Sequence, residues 1–335
     1  MPEAGHPAKG PAPAARTYRG RFAPSPTGPL HFGSLVAAVA SFADARAQGG
    51  EWLVRMEDLD RERERPGAAD SILRTLDAFG LQWDLEVIYQ SRRTQAYGEA
   101  LERLLGLGLA YPCACSRREV AAAGRPGPEG PIYPGTCRGG IQAGRRARSI
   151  RLIAEAPEIR FSDRIQGDQR QVPLEQVGDF VLRRADGVHA YQLAVVVDDA
   201  WQGIDRVVRG ADLLHSTPRQ ILLQCLLGLP SPDYAHVPLA LGPDGHKLSK
   251  SLDSAPVDPA HPIPALLRAW AFLGQTMPDP VGSVAELWAQ AIARWRIERV
   301  PKVPALAMGP PGARGPGRGQ GPGRMTPFTT QATTH

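Results

Sequence analysis

R-F-A-P-S-P-T-G-P-L-H-F-G-S, Arg21 to Ser34, is the stretch that decides the fold of this chain. It overlaps Tyr18 to Ala23, which reads as a strand; Pro24, Pro26 and Gly28 then forbid regular structure. From Gly33 to Gln48 the apolar residues Leu35, Val36, Val39, Phe42 and Ala43 recur on one helical face. Trp52 to Met56 reads as a second strand and runs into the acidic residues Glu57, Asp58 and Asp60. Strand, helix and strand in this order form a βαβ unit, the seed of an α/β domain with a parallel sheet. Open sheets of this kind bind ligands beyond the carboxyl ends of their strands, where the Pro-Ser-Pro-Thr-Gly turn and Glu57 both fall.

A second segment, H-K-L-S-K-S (His246 to Ser251), lies far downstream, just after Gly242-Pro243-Asp244-Gly245. His31 and Gly33 open a helix whose backbone N–H groups and dipole favour a phosphate, and His31 can donate to an α-phosphate as charge develops there. Lys247 and Lys250 sit in a turn-bounded loop able to close over a triphosphate and neutralise a leaving pyrophosphate. Backbone donors and an imidazole on one side, with ammonium groups on the other, point to activation of a carboxylate by ATP.

Elsewhere, helices are expected at about 67–79 and 93–107, and residues 110–145 change character, with three cysteines, many Gly and Pro and little periodicity. Residues 147–185 read as irregular strands. Leu193 to Val197 is a continuous apolar run and is expected to be a buried strand; Asp198 and Asp199 after it stay unassigned. A short strand is expected at Arg206–Gly210, and helices at Leu213–Leu227 (opened by Ser216-Thr217-Pro218), Asp258–Phe272 and Val284–Trp295. Trp83, Trp201 and Trp270 read as packing residues. Residues 1–17 and the Gly/Pro/Arg-rich run Gly309–Arg324 cannot bury a core and are expected to be disordered. The expected division is a leader over 1–17, a catalytic domain in two halves (18–109 and 146–255) around an insertion (110–145), a helical part at 256–300 and a tail from 301 to 335.

Composition bounds the function class. The formal charge of +5 is concentrated in the tails: Lys9, Arg16, Arg19, Lys302, Arg314, Arg318 and Arg324 face a single acid there, Glu3. The body is close to neutral, so the charge carries no case for RNA binding. No run of 18 apolar residues is present, and the N-terminus lacks an apolar signal region, which favours a cytoplasmic enzyme without a membrane partner; a monomer is expected, though nothing in the sequence fixes the oligomeric state. In a reducing compartment four cysteines are ligands or free thiols. Cys113, Cys115 and Cys137 suit a tetrahedral, structural zinc, with no histidine between His31 and His189 to complete it. Cys225, beside Leu222 and Leu226, reads as a core thiol.

The two segments together resemble the HIGH and KMSKS signatures of class I aminoacyl-tRNA synthetases, with His31-Phe32-Gly33-Ser34 in the first place and Lys247-Leu248-Ser249-Lys250-Ser251 in the second. R-F-A-P-S-P-T-G and R-M-E-D-L-D narrow the resemblance to the glutamyl branch. It covers roughly residues 18 to 300 and implies a Rossmann-like doubly wound sheet. Glutamate brings two carboxylates and an ammonium, a demand met by forked guanidinium groups and a carboxylate. The resemblance assigns the glutamate pocket to Arg21, Phe22, Ala23, Pro24, Ser25, Glu57, Tyr191 and Arg209, and ATP, with its Mg2+, to His31, Gly33 and Lys250. It also supplies Tyr133, through the pattern C-x-C…Y-x3-C, as a fourth zinc ligand, with water as the alternative.

The acceptor follows from length. A full glutamyl-tRNA synthetase adds an anticodon-binding part of ~100–200 residues, which the 84 residues after Ser251 do not accommodate beside a disordered tail. The resemblance is therefore to the smaller members, which activate glutamate without tRNA and esterify the cyclopentene diol of queuosine at the wobble position of tRNA(Asp). A truncated glutamyl-tRNA synthetase acting on an acceptor end, or a non-catalytic RNA-binding relative, would be the alternatives.

Overall fold

The computed structural model describes residues 18–127, 130–242 and 255–307. It begins with the expected unit: β1 (Arg19–Phe22), α1 (Phe32–Ala47) and β2 (Glu51–Met56), with β1 and β2 parallel and Arg21 beside Leu53. From Leu35 to Ala45 almost every side chain of α1 is buried apart from Ala37, so this helix lies at the centre of the domain. Gly50 makes the return to β2 possible, because a Cβ there would stand 2.5 Å from the carbonyl oxygen of Tyr18. Next come α2 (Ala68–Ala78), β3 (Ile88–Tyr89), which extends the parallel ladder beyond β2, and α3 (Thr94–Gly106).

The cysteine-rich region is less irregular than its composition suggests. It starts with β4 (Ala110–Cys113) and holds α4 (Arg117–Ala123), whose Ser116 and Glu119 form a capping box. The chain then runs through β5 (Ser149–Leu152), β6 (Ile159–Asp163), β7 (Gly167–Gln171), a single turn α5 (Pro173–Gln176) and β8 (Val181–Arg183). These strands pair antiparallel, β4 with β5, β5 with β8, and β6 with β7.

The expected strand at Leu193–Val197 is instead part of helix α6 (Tyr191–Trp201). A short apolar run fits a buried strand and a fully buried helix equally well by periodicity. Here the run is enclosed by α3 and α7 (Thr217–Leu227), so it is apolar all round rather than alternating. Strand β9 (Arg206–Gly210) is where it was expected. The helix after it begins later than expected, because Ala211–Ser216 is a 3-10 turn and Pro218 sits at the start of α7. Strand β10 (Asp233–Val237) pairs parallel with β9. The N–H of Asp205 donates to the Arg19 carbonyl at 3.1 Å, so the two parallel ladders meet in the spatial order β3-β2-β1-β9-β10. One face is covered by α1 with α8 (Pro262–Phe272) and α9 (Val284–Arg294), the other by α3, α6 and α7. A short pair, β11 (Leu239–Leu241) with β12 (Ala305–Ala307), places part of the expected tail against the body.

Trp270 is buried and Trp83 packs on the core, but Trp201 is 60% exposed, with the Arg93 guanidinium 3.8 Å above its ring. Cys225 is exposed, not a core thiol, since α7 turns Leu222, Leu223 and Leu227 inward instead. The leader 1–17 and the run Gly309–Arg324 lie outside the described residues, and among those residues no helix is long and apolar enough to cross a membrane.

Asp44 fastens the two ends of the domain to the central helix. Its buried carboxylate accepts from Tyr18 Oη (2.7 Å), Arg164 Nη1 (2.7 Å) and Trp295 Nε1 (3.0 Å). Removing one partner of a buried charge pair strands the others. Asp44→Ala is expected to lower unfolding free energy by about 3 kcal/mol or more in a denaturant titration. A loss below about 1 kcal/mol would show that these contacts are replaced by water.

Candidate functional site

The carboxyl ends of β1, β2, β9 and β10 open on one cavity of about 250 Å³. Arg21, Phe22, Ala23, Pro24, Ser25, His31, Gly33, Glu57, Tyr191 and Arg209 all line it, so residues scattered over nearly 190 positions of sequence converge on a single hollow. The extended Pro24–Pro26 segment brings this about: the N–H of Glu57 donates to the Pro24 carbonyl at 2.9 Å and that of Arg65 to the Pro26 carbonyl at 3.0 Å.

Beneath the cavity is a buried lattice of charge. Arg55 is fully enclosed, 2.8 Å from Asp199 Oδ1, 3.3 Å from Glu57 Oε1 and bonded through Nη1 to Gln202 Oε1 at 2.7 Å. Arg21 donates Nε and Nη2 to the same Asp199 carboxylate (3.1 and 3.4 Å), which leaves Nη1 outside that pair. Burial pushes the Glu57 carboxyl up, and the nearby Arg55 and Arg21 guanidinium groups offset this in part. For Asp199 burial acts the same way, but the two arginines win and hold it below the usual carboxylate range. Asp198, one residue earlier, accepts from Gln90, Arg93 and Tyr97.

Arg209 is held differently. It is 5% exposed, and its partners are neutral: His236 Nε2 (3.0 Å), Thr217 Oγ1 (2.9 Å), Gln220 Oε1 (2.8 Å) and Tyr191 Oη (3.3 Å). Among the described residues no carboxylate lies within 4.0 Å of it. Tyr191 sits between the two regions; burial raises its phenol, Arg209 and Arg21 pull it down, and Glu57 pushes it up.

His31 is the N-cap of α1: Nδ1 accepts from the Ser34 N–H at 3.3 Å, and Nε2 is 3.1 Å from Ser34 Oγ. Gly33 leaves room for this, because a Cβ there would lie 3.2 Å from the imidazole and push the ring aside by a few tenths of an ångström. Lys247 and Lys250 lie outside the described residues. A second hollow of about 620 Å³ shares Ser25, Glu57 and Tyr191 with the first and continues past Asp60, Arg184 and His189.

Cys113, Cys115 and Cys137 come together, their sulfurs within 4.8 Å of one another. A tetrahedral zinc with ~2.3 Å bonds places its sulfurs roughly 3.8 Å apart, and Cys115 and Cys137 are 3.7 Å apart. Tyr133 Oη lies 3.3 Å from Cys113 Sγ and 3.4 Å from Cys115 Sγ, so the set fits a four-coordinate ion. Burial would raise the Cys113 thiol, but the Tyr133 hydroxyl, the Cys115 backbone and Arg151 bring it down to about 7. Arg151 also stacks 4.0 Å above the Tyr133 ring. The buried Asp179 carboxylate ties this cluster to the strands behind it, accepting from Tyr111 Oη, the Arg138 fork and the Ala154 N–H.

Sequence reasoning passed over Arg55, His236 and Gln220 and left Asp199 without a role. Arg55 stands in the R-M-E-D motif that drew attention to Glu57. Asp199 lies eight positions after Tyr191, a helical spacing concealed when Leu193–Val197 is taken as strand.

Comparison with known proteins agrees with this architecture. The class I tRNA synthetase (E and Q) catalytic domain matches residues 17–258. The chain is 60% identical over 289 residues to the glutamyl-Q tRNA(Asp) synthetase of Dechloromonas aromatica, covering 85% of this chain and 96% of that one. It is 54% identical to the protein of that name from Chromobacterium violaceum, over 86% and 96%. A glutamate tRNA ligase of Elizabethkingia meningosepticum, solved in complex with its amino acid, superposes with a TM-score of 0.71 at 25% identity, over 87% of this chain and 67% of that one. By extent of match and by identity, this chain belongs to the class I tRNA synthetases of the E and Q type and, within them, to the glutamyl-Q tRNA(Asp) synthetase family.

Proposed function

We propose that the chain activates L-glutamate with ATP, without tRNA, and transfers it to the queuosine of tRNA(Asp). The observation that carries this reading is Arg209: a buried guanidinium with only neutral partners, sharing one cavity with Glu57 and the unpaired edge of Arg21. Such a set offers two cationic sites and one anionic site, the complement of glutamate's two carboxylates and ammonium. Phe22, Ala23, Pro24, Ser25 and Tyr191 wall the pocket.

In the first step the α-carboxylate oxygen attacks the α-phosphorus of ATP, a P–O bond forms, and pyrophosphate leaves. The α1 N-terminus at Gly33 and His31 stabilises the charge on the α-phosphate, and Mg2+ accompanies the nucleotide. By resemblance Lys247 and Lys250 neutralise the departing pyrophosphate. In the second step a hydroxyl of the cyclopentene diol attacks the adenylate carbonyl. An ester forms, AMP leaves and the hydroxyl proton passes to solvent. The second hollow, which shares Glu57 and Tyr191 with the first, gives the acceptor nucleoside its approach. Cys113, Cys115, Tyr133 and Cys137 would hold a zinc ion, with Tyr133 as its oxygen ligand; that ion would brace the insertion and supply no chemistry to either step.

The direct test is transfer of labelled glutamate to purified tRNA(Asp) with and without queuosine, beside tRNA(Glu). Labelling only of queuosine-bearing tRNA(Asp) is expected; labelling of tRNA(Glu) would make the chain a minimal glutamyl-tRNA synthetase. Arg209→Gln is expected to raise KM for glutamate on the order of 30-fold or more, with KM for ATP little changed, since a buried charge partner is lost. Metal analysis should find one zinc per chain, removed by Cys137→Ser with a fall in melting temperature. Full zinc content in that variant would contradict the ligand set.

A further inference from the structure

Arg209 stands at the end of a buried chain of hydrogen bonds that begins at Asp163, the last residue of β6. Asp163 Oδ1 accepts from three backbone N–H groups, those of Ile165 (3.0 Å), Gln166 (2.8 Å) and His236 (3.1 Å). Its Oδ2 lies 2.6 Å from His236 Nδ1, and neither side chain has any exposed surface. The carboxylate is thus fixed before any ligand arrives.

That fixation decides the histidine's tautomer. Burial, helped by the Arg209 charge and opposed by Asp163, lowers His236 to about 4, so the ring is neutral near neutral pH and carries one proton. Asp163 only accepts, which places the proton on Nδ1 and leaves the Nε2 lone pair for the Arg209 Nε–H, 3.0 Å away. A guanidinium is planar, so holding Nε on His236, and Nη2 on Gln220 and Thr217, fixes its plane. What remains is the Nη1 edge, 3.3 Å from the Tyr191 hydroxyl at the cavity wall.

We propose that Asp163 and His236 are positioning residues: by setting the His236 tautomer they hold Arg209 in the rotation that presents its Nη1 edge to a glutamate carboxylate. This rests on the assignment of Arg209 to glutamate. Neither residue touches the cavity itself, and no feature of the sequence joins them, since they lie 73 positions apart.

The test is Asp163→Asn, nearly isosteric with the native residue. With its amide oxygen kept on the three backbone donors, its NH2 faces His236 Nδ1 and drives the ring proton to Nε2, against the Arg209 Nε–H. KM for glutamate in pyrophosphate exchange is expected to rise about ten-fold, the order of one weakened hydrogen bond to a charged group, while KM for ATP stays within about two-fold. His236→Gln, whose amide oxygen accepts from Arg209 without help from Asp163, should make the Asp163→Asn change nearly silent when the two are combined. 15N NMR of the wild-type imidazole should show the Nδ1–H tautomer, and this reading needs no variant to fold. A wild-type Nε2–H tautomer, or a stable Asp163→Asn protein with unchanged KM for glutamate, would overturn the proposal. If Arg209→Gln also leaves that KM unchanged, the pocket assignment itself fails; if only Asp163→Asn does, the positioning role alone is lost.

Discussion

Everything at the site depends on how Arg55 is buried. Enclosing a guanidinium costs several kcal/mol unless its charge and donors are met. Here Asp199 and Glu57 meet the charge at 2.8 and 3.3 Å and Gln202 adds a neutral bond, while Nε–H makes no hydrogen bond and faces Asp198 at 3.9 Å. Those partners come from the end of β2 and from α6 with the turn after it, so satisfying Arg55 locks a strand end to a helix on one face of the sheet. Asp199 then turns to Arg21 at the end of β1, and three elements are set in register by one carboxylate.

The charges in this lattice balance. Arg21, Arg55 and Arg93 face Glu57, Asp198 and Asp199. Arg209 stands apart: its direct partners are neutral, and it meets the buried Asp163 carboxylate only through His236. Zwitterionic glutamate carries one net negative charge at neutral pH, and one of its carboxylates would give Arg209 a direct anionic partner. A pocket of this kind is assembled before its ligand, and rigid polar groups in a buried site bind a charge without reorganising. This fits activation that needs no RNA to shape the pocket.

Much of this was legible in sequence because certain residues leave the chain few options. Prolines 24 and 26 force an extended turn, Gly33 leaves room for His31, and the apolar spacing from Leu35 to Ala43 is helical and nothing else. The cysteine spacing likewise marked a cluster before any coordinates. What stayed hidden was held by tertiary contact. Leu193–Val197 is apolar on all sides because α3 and α7 enclose it, and that hides its helical period. Taken as a strand, it separated Tyr191 from Asp199, although both belong to one helix. Cys225 looked buried from its neighbours' character, but one helix can alternate inward and outward within three residues. The partners of Arg209 come from β10, α7 and α6, and no local pattern announces a buried His–Asp pair.

The central claim is that the pocket is complete without RNA. Glutamate-dependent exchange of labelled pyrophosphate into ATP, measured with the purified chain and no nucleic acid, tests it most directly. The account predicts exchange that saturates with glutamate and is unchanged by nuclease treatment. Exchange that appears only when tRNA is added would contradict it, because the charges around Arg55 and Arg209 would then need RNA to reach their working arrangement.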